Sequence, residues 1–234
     1  MSKIMTHTPA LMGTVAAGSG AGDPSALFPP LAAYLSARRG EAGAIPGERK
    51  AALDKLSTWA TIEKNASRPI RLTFICTHNS RRSQMAQVWA SAIGASLGLD
   101  VRACSGGTEV SAFNPRAVAA LQRAGFQIET TTDDPNPVYH VRAGASRLPA
   151  TCFSKRFDHP SNPAQDFAAV MVCSDADHAC PQVSGAAARF AIEYQDPKAA
   201  DGKSDEAAVY DERCAQIARE LAYVFDHVAR PAKP

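Results

Sequence analysis

The chain has 234 residues, 45% of them hydrophobic, which allows one α/β domain with an extension or two small domains. Its 25 basic residues nearly balance 23 acidic ones, and a net charge of +2 gives no electrostatic case for nucleic acid or an anionic membrane. No apolar run reaches the roughly 20 residues of a membrane span, and six scattered cysteines in a chain of this length argue for a reducing, cytoplasmic setting rather than a disulfide scaffold.

Residues 1–24 are rich in Gly, Ala, Ser and Thr and are expected to form a disordered tail. Gly13, Thr14 and Gly18 break the small-residue run Ala10–Ala21, so it lacks the apolar core of a signal peptide. Residues 25–69 are expected to be a helical extension. Leu27 to Arg38 reads as a short helix, with Pro29-Pro30 at its start and Gly40 after it. Ile45-Pro46-Gly47 opens a longer helix to about Lys64, whose stripe is Leu53, Leu56, Trp59 and Ala60. Packing on the main domain is the ordinary use of such a stripe; a partner-binding helix pair is the sharper alternative. Arg68-Pro69 ends the extension.

The main domain is expected over 70–234. Ile70 to Ile75 is a short run of β-formers and reads as a buried strand. From Ser83 to about Leu97 the period becomes helical, with Met85, Val88, Trp89 and Ala92 on one face. Val101 to Cys104 reads as a second strand and Ser105-Gly106-Gly107 as a turn. Asn114-Pro115 caps a helix that runs to Ala124, where Gly125 stops it. Over about 130–165 the rhythm breaks, and Val138–Arg142 with Thr151–Lys155 reads as an inserted hairpin that uses Cys152 as an apolar strand residue. Asp158-His159-Pro160 fits a turn better than a metal site. Phe167–Val172 and Phe190–Tyr194 are a third and fourth strand, and the last helix spans about Asp205–Ala229 with Cys214 on its apolar face. Strand–helix alternation predicts parallel βαβ units. The fold class is therefore α/β, a three-layer sandwich with a four-stranded parallel sheet.

Chemistry concentrates at the end of the first strand, in Cys76-Thr77-His78-Asn79-Ser80-Arg81-Arg82-Ser83. A loop from strand end to helix start can curl its N–H groups around a tetrahedral oxyanion, with the helix N-terminus behind it. Arg82 can clamp the anion with two prongs. At the loop floor the amides, the helix dipole and Arg82 would favour Cys76 as a thiolate, with Ser83 donating to its sulfur. A cysteine that ends an apolar strand is often only a core residue; the x5 spacing and the strand-to-helix switch favour the nucleophile.

The stretch 76–86 resembles the anion loop of low-molecular-weight protein tyrosine phosphatases, and more closely that of the related thioredoxin-coupled arsenate reductases. In that family the third loop residue is usually Gly and a second Cys precedes the Arg; here His78 and Arg81 stand there. The segment Val172-Cys173-Ser174-Asp175-Ala176-Asp177-His178-Ala179-Cys180-Pro181 resembles the redox segment of the reductases. Incidental core thiols, or a zinc site with His178 and Asp175, are the alternatives; the latter lacks the short chelate pair of zinc sites. The resemblance covers about 70–230. It implies that Cys76, Cys173 and Cys180 pass a disulfide to thioredoxin, that Thr77 to Ser83 hold the anion, and that Asp196, in Tyr-x-Asp-Pro, protonates the leaving oxygen, although Asp-Pro is also a common turn. It requires no metal or organic cofactor. Ester hydrolysis through a Cys76 phosphoenzyme is the runner-up. An anion-sensing or partner-binding module without turnover, motivated by His78 and the added helices, is the third reading.

Overall fold

The computed structural model describes residues 27–145, 149–179 and 182–231. The expected tail over 1–24, and Cys180 with Pro181, lie outside the described residues. Along the chain run α1 (Pro29–Gly40), α2 (Gly47–Asn65), β1 (Ile70–Cys76), α3 (Arg82–Ser96), β2 (Val101–Gly107), α4 (Pro115–Arg123), β3 (Gln127–Thr130), β4 (Tyr139–Arg142), β5 (Ala150–Cys152), β6 (Phe167–Met171), α5 (Ser174–Ala179), β7 (Ala186–Ala191) and α6 (Glu206–Ala229).

Strands β2-β1-β6-β7, in that order, form one parallel sheet. Leu72, Thr73, Phe74 and Ile75 are successive and all buried. Because alternate strand residues face opposite sides, both faces of the sheet are covered, as a parallel sheet requires. The chain leaves β1 toward β2 on one side, then returns past β1 to β6 on the other. That reversal opens a crevice at the carboxyl end of β1, the place where such sheets bind ligands.

Three local expectations change. Ser105-Gly106-Gly107 is not a turn: it continues β2 in register, with Phe74 opposite Ser105 and Cys76 opposite Gly107. The glycines serve close approach instead. A Cβ on Gly106 would lie 2.2 Å from Phe157 Cα, and one on Gly107 would lie 2.5 Å from the Thr77 carbonyl oxygen. The fourth strand begins earlier than predicted, at Ala186, and ends at Ala191. The hairpin over the insertion has a third member, β3, so β3-β4-β5 form an antiparallel sheet of their own.

Helix α3 departs from a one-sided stripe. All of its residues but Ser91 are buried, because β1 and β2 cover one side and α6 packs on another. Its buried polar groups are paired: Gln84 Nε2 donates to the Asn79 carbonyl (3.1 Å), and Gln87 Oε1 accepts from Ser105 Oγ (2.6 Å). Trp89 stacks on Tyr34 of α1 and meets Phe126 edge-on, with centroids 5.6 and 4.9 Å apart.

Helices α1 and α2 share one hydrophobic core with the sheet through Leu31, Leu35, Leu53, Leu56 and Ala60. Each fully buried leucine contributes about 2 kcal/mol relative to exposure. Ion pairs fasten the same helices to α6: Arg39 to Asp226 at 3.1 Å, Arg49 to Glu220 at 2.7 Å, and Glu41 to Arg219 at 3.0 Å. Among the described residues no helix is long and apolar enough to cross a membrane.

Candidate active site

The loop from Cys76 to Arg82 is held by protein groups on several sides. Asn79 adopts a left-handed backbone, φ +46°, a conformation Asn tolerates better than most residues. Its side chain is fully buried. Asn79 Oδ1 accepts from the Lys155 N–H at 2.9 Å, which fixes the orientation of the amide and turns Nδ2 to Ser83 Oγ, also at 2.9 Å. Ser83 accepts that hydrogen and lies 3.0 Å from Cys76 Sγ, within reach to donate its own hydrogen to a thiolate there. The loop is tied outward as well. The His78 carbonyl accepts from Ser111 Oγ and Ser154 Oγ at 3.1 and 2.9 Å, and Ser80 Oγ donates to the Ala112 carbonyl at 2.7 Å. Among the described residues, none of the main-chain N–H groups from 77 to 83 donates to another protein group. Those donors, at the N-terminus of a 15-residue helix, suit an anion.

Arg82 is 8% exposed. Its Nη1 donates to the Tyr194 carbonyl at 2.9 Å and its Nη2 to Asp196 Oδ2 at 2.7 Å. Its buried Nε has no partner among the described residues, so the guanidinium retains donors for an oxyanion. Asp196 Oδ1 accepts from the Lys198 N–H at 3.0 Å, capping a short 3-10 turn, Pro197–Ala200. Asp196 thus opens an Asp-Pro turn and also stands beside Arg82.

His78 and Arg81 of the predicted anion set, like Asn79 and Ser80, have protein partners for their side chains. His78 Nε2 lies 3.3 Å from Glu109 Oε2, and the His78 side chain is about half exposed. Arg81 Nε donates to Tyr210 Oη at 3.0 Å, and Tyr210 donates in turn to Asp201 at 2.8 Å. Burial and the bond to Asp201 push the Tyr210 phenol up to about 12, which keeps its proton available for that bond.

Cys173 lies at the same sheet edge as Cys76. Ile75 pairs with Met171, so two residues on, Thr77 stands abreast of Cys173, with Thr77 Oγ1 3.6 Å from Cys173 Sγ. Cys173 is 1% exposed. Its carbonyl accepts the first turn of α5 through the Asp177 N–H at 3.0 Å. Arg189 Nη2 holds that short helix through Asp177 Oδ1 (2.6 Å) and the Asp177 carbonyl (2.8 Å). Cys180, the third predicted thiol, falls outside the described residues.

The remaining described sulfurs are elsewhere. Cys152 and Cys214 are fully buried, and burial pushes each thiol up to about 12, so both stay protonated and pack as small apolar groups. His159 pairs with Ser161 and Asp158 with Arg156, so Asp158-His159-Pro160 is a turn. Sequence reasoning missed Ser154, Lys155 and Tyr194. The first two touch the loop from 76 residues away, and no local pattern signals such a contact. Tyr194 was visible as the first residue of Tyr-x-Asp-Pro but not as a ligand of Arg82.

Residues 71–137 match the family described as low molecular weight phosphotyrosine protein phosphatase. "Arsenate reductase 2" of Staphylococcus epidermidis is 33% identical over 108 residues, 46% of this chain and 63% of that protein. "Arsenate reductase" of Bacillus licheniformis is 29% identical over 143 residues, 60% of this chain and 83% of that protein. The chain thus spans a little under two thirds of the Staphylococcus relative. A solved low molecular weight protein tyrosine phosphatase from T. tengcongensis aligns with a TM-score of 0.44 and 19% identity, over 68% of this chain and 96% of that one.

Proposed function

Because the chain belongs to the low-molecular-weight protein tyrosine phosphatase family, arsenate reductases included, we propose that it reduces arsenate to arsenite through a relay of three thiols. The amides of 77–83 and Arg82 bind the oxyanion. The Cys76 thiolate, stabilised by Ser83, attacks arsenic; an As–O bond breaks and Asp196 protonates the departing hydroxyl to water. Cys173 then attacks the Cys76 sulfur. The S–As bond breaks, its electron pair stays on arsenic, and arsenite leaves. Two thiols have become the Cys76–Cys173 disulfide, and arsenic has gained the two electrons. Cys180 attacks Cys173, frees Cys76, and leaves a Cys173–Cys180 disulfide for thioredoxin to reduce.

The observation that carries this reading is the Cys173 thiol, 3.6 Å from Thr77 Oγ1 at the edge of the anion loop. A hydrolase has no use for a sulfur there. The test is arsenate-dependent NADPH oxidation in the presence of thioredoxin and thioredoxin reductase, with p-nitrophenyl phosphate hydrolysis measured in parallel. Cys173→Ser and Cys180→Ser are expected to abolish the first and leave the second within about twofold. Reduction that persists in both variants sinks the relay.

A second reading needs only the groups both readings share, Arg82 on the anion and Asp196 beside it at 2.7 Å, without any second thiol. On that reading Cys76 forms a phosphoenzyme that water hydrolyses. Ester turnover with no arsenate-dependent oxidation selects it.

A further inference from the structure

Helix α2 lies outside the segment that matches the family, yet one of its side chains reaches the anion clamp in two steps. Arg49 donates through Nε at 3.0 Å and Nη2 at 2.7 Å to Glu220 Oε2 on α6. Its guanidinium carbon sits 4.8 Å from the centroid of the Tyr194 ring, within cation–π range. Glu220 is 2% exposed and Tyr194 4%. The other Glu220 oxygen accepts from Gln216 Nε2 at 3.0 Å, so this buried carboxylate is paired on both sides. The main-chain oxygen of Tyr194 accepts from Arg82 Nη1, and Asp196, two residues on, accepts from Nη2.

We propose that Arg49 is a positioning residue for the oxyanion clamp: by pinning the Tyr194 ring against Glu220 it fixes the carbonyl that orients Arg82, and so makes the N-terminal helices part of the anion site. The inference rests on the anion-site reading above. Its physical basis is that an uncompensated buried carboxylate must find a new cation or water. Without Arg49, Glu220 repacks, the ring above it shifts, and the shift reaches Arg82 through the rigid peptide of Tyr194.

The test is a calorimetric titration of the full chain, thiols reduced, with inorganic phosphate. Arg49→Met keeps the aliphatic bulk and removes the charge; Arg49→Lys keeps a cation against Glu220 and the ring. Arg39→Met is the control. It breaks another of the ion pairs to α6, Arg39 to Asp226 at 3.1 Å, and among the described residues neither partner contacts Tyr194, Asp196 or Arg82. Arg49→Met is expected to weaken phosphate binding about fivefold, and Arg49→Lys to return it to within about twofold of wild type. Arg39→Met is expected to lower thermal stability and leave the affinity unchanged. Should Arg49→Met not fold, the Arg49→Met/Glu220→Gln double variant, which strands no charge yet still takes the cation from the Tyr194 ring, carries the measurement of the ring-pinning step. Wild-type affinity in either folded variant overturns the proposal, as does an equal loss in Arg39→Met. Phosphate that fails to bind the wild-type protein overturns the anion-site reading, and this inference falls with it.

Discussion

Strands β1 and β6 lie side by side, β1 ending on Cys76 and β6 delivering Cys173 two residues past its end, yet the two ends are built in opposite ways. After β1 the chain enters a loop that is buried and cross-tied: Asn79, Ser83, Gln84 and Arg82 all spend their side chains on holding it. After β6 comes a six-residue helix with Ser174, Asp175 and His178 exposed, Ala176 buried in the core, and Asp177 tied to Arg189. An anion nest must be rigid, because its donors are worth most when no reorganisation accompanies binding. A thiol that takes part in exchange must instead approach first one sulfur and then another. The contrast assigns grip to the first end and transport to the second, and it can be broken from either side.

The largest effect is expected at the sulfur both readings share. Cys76→Ser should lower arsenate reduction and ester hydrolysis together, by a factor on the order of a thousand or more, as initial rates would report. Phosphate binding should survive, since the amides and Arg82 remain. A variant that loses phosphate affinity in step with turnover would make Cys76 part of the grip, and the division between the two ends would need redrawing.

A smaller effect, confined to the grip, is expected from Asn79→Ala. It leaves the Lys155 N–H without its acceptor in a buried place and takes from Ser83 the donor that orients its hydroxyl. It also puts Ala at φ +46°. Leaving a buried N–H unsatisfied costs about 1–3 kcal/mol, and the strained φ adds about 1 kcal/mol. Urea unfolding should therefore show a loss of about 2–4 kcal/mol, with phosphate affinity falling in the folded protein. A loss below about 0.5 kcal/mol would mean that the loop is not held through Asn79.

Much of this arrangement could be read before the fold was known, and the reasons are local. β6 is a continuous apolar run and β1 one broken only by Arg71 and Thr73, the mark of strands buried on both faces. Asn114 caps α4 as its position ahead of Pro115 predicts, its Oδ1 accepting from the Arg116 N–H at 2.9 Å. What could not be read depends on partners far along the chain. Gly106 and Gly107 look like a turn until Phe157 and Thr77 are seen pressed against them. β3 has four residues, three of them exposed, and carries no apolar run; only pairing with β4 makes it a strand. The one-sided stripe on α3 is misleading because α6, more than a hundred residues later, covers the other side. At the site, the Cys-x5-Arg frame was legible as composition and spacing, whereas the Lys155–Asn79 bond spans 76 residues and the Arg49–Glu220 pair 171. Periodicity and caps carry information about neighbours in sequence; buried polar ties between distant segments leave no such trace.

The smallest effect is expected at the transport end. Asp177→Asn removes the charge that Arg189 meets at 2.6 Å but keeps the carbonyl that the same nitrogen holds at 2.8 Å. The pair is partly exposed, 28% for Arg189 and 22% for Asp177, and such pairs contribute at most about 1 kcal/mol. For a chain of this size that is a fall in Tm of about 2–4 °C or less. Phosphate affinity and ester hydrolysis should stay within about twofold of wild type, because no bond of the anion loop passes through Asp177. If instead Asp177→Asn loosens phosphate binding as much as Asn79→Ala does, α5 is a wall of the nest and not a separate carrier. The two strand ends would then be one device, and a thiol relay would have to run without moving either of them.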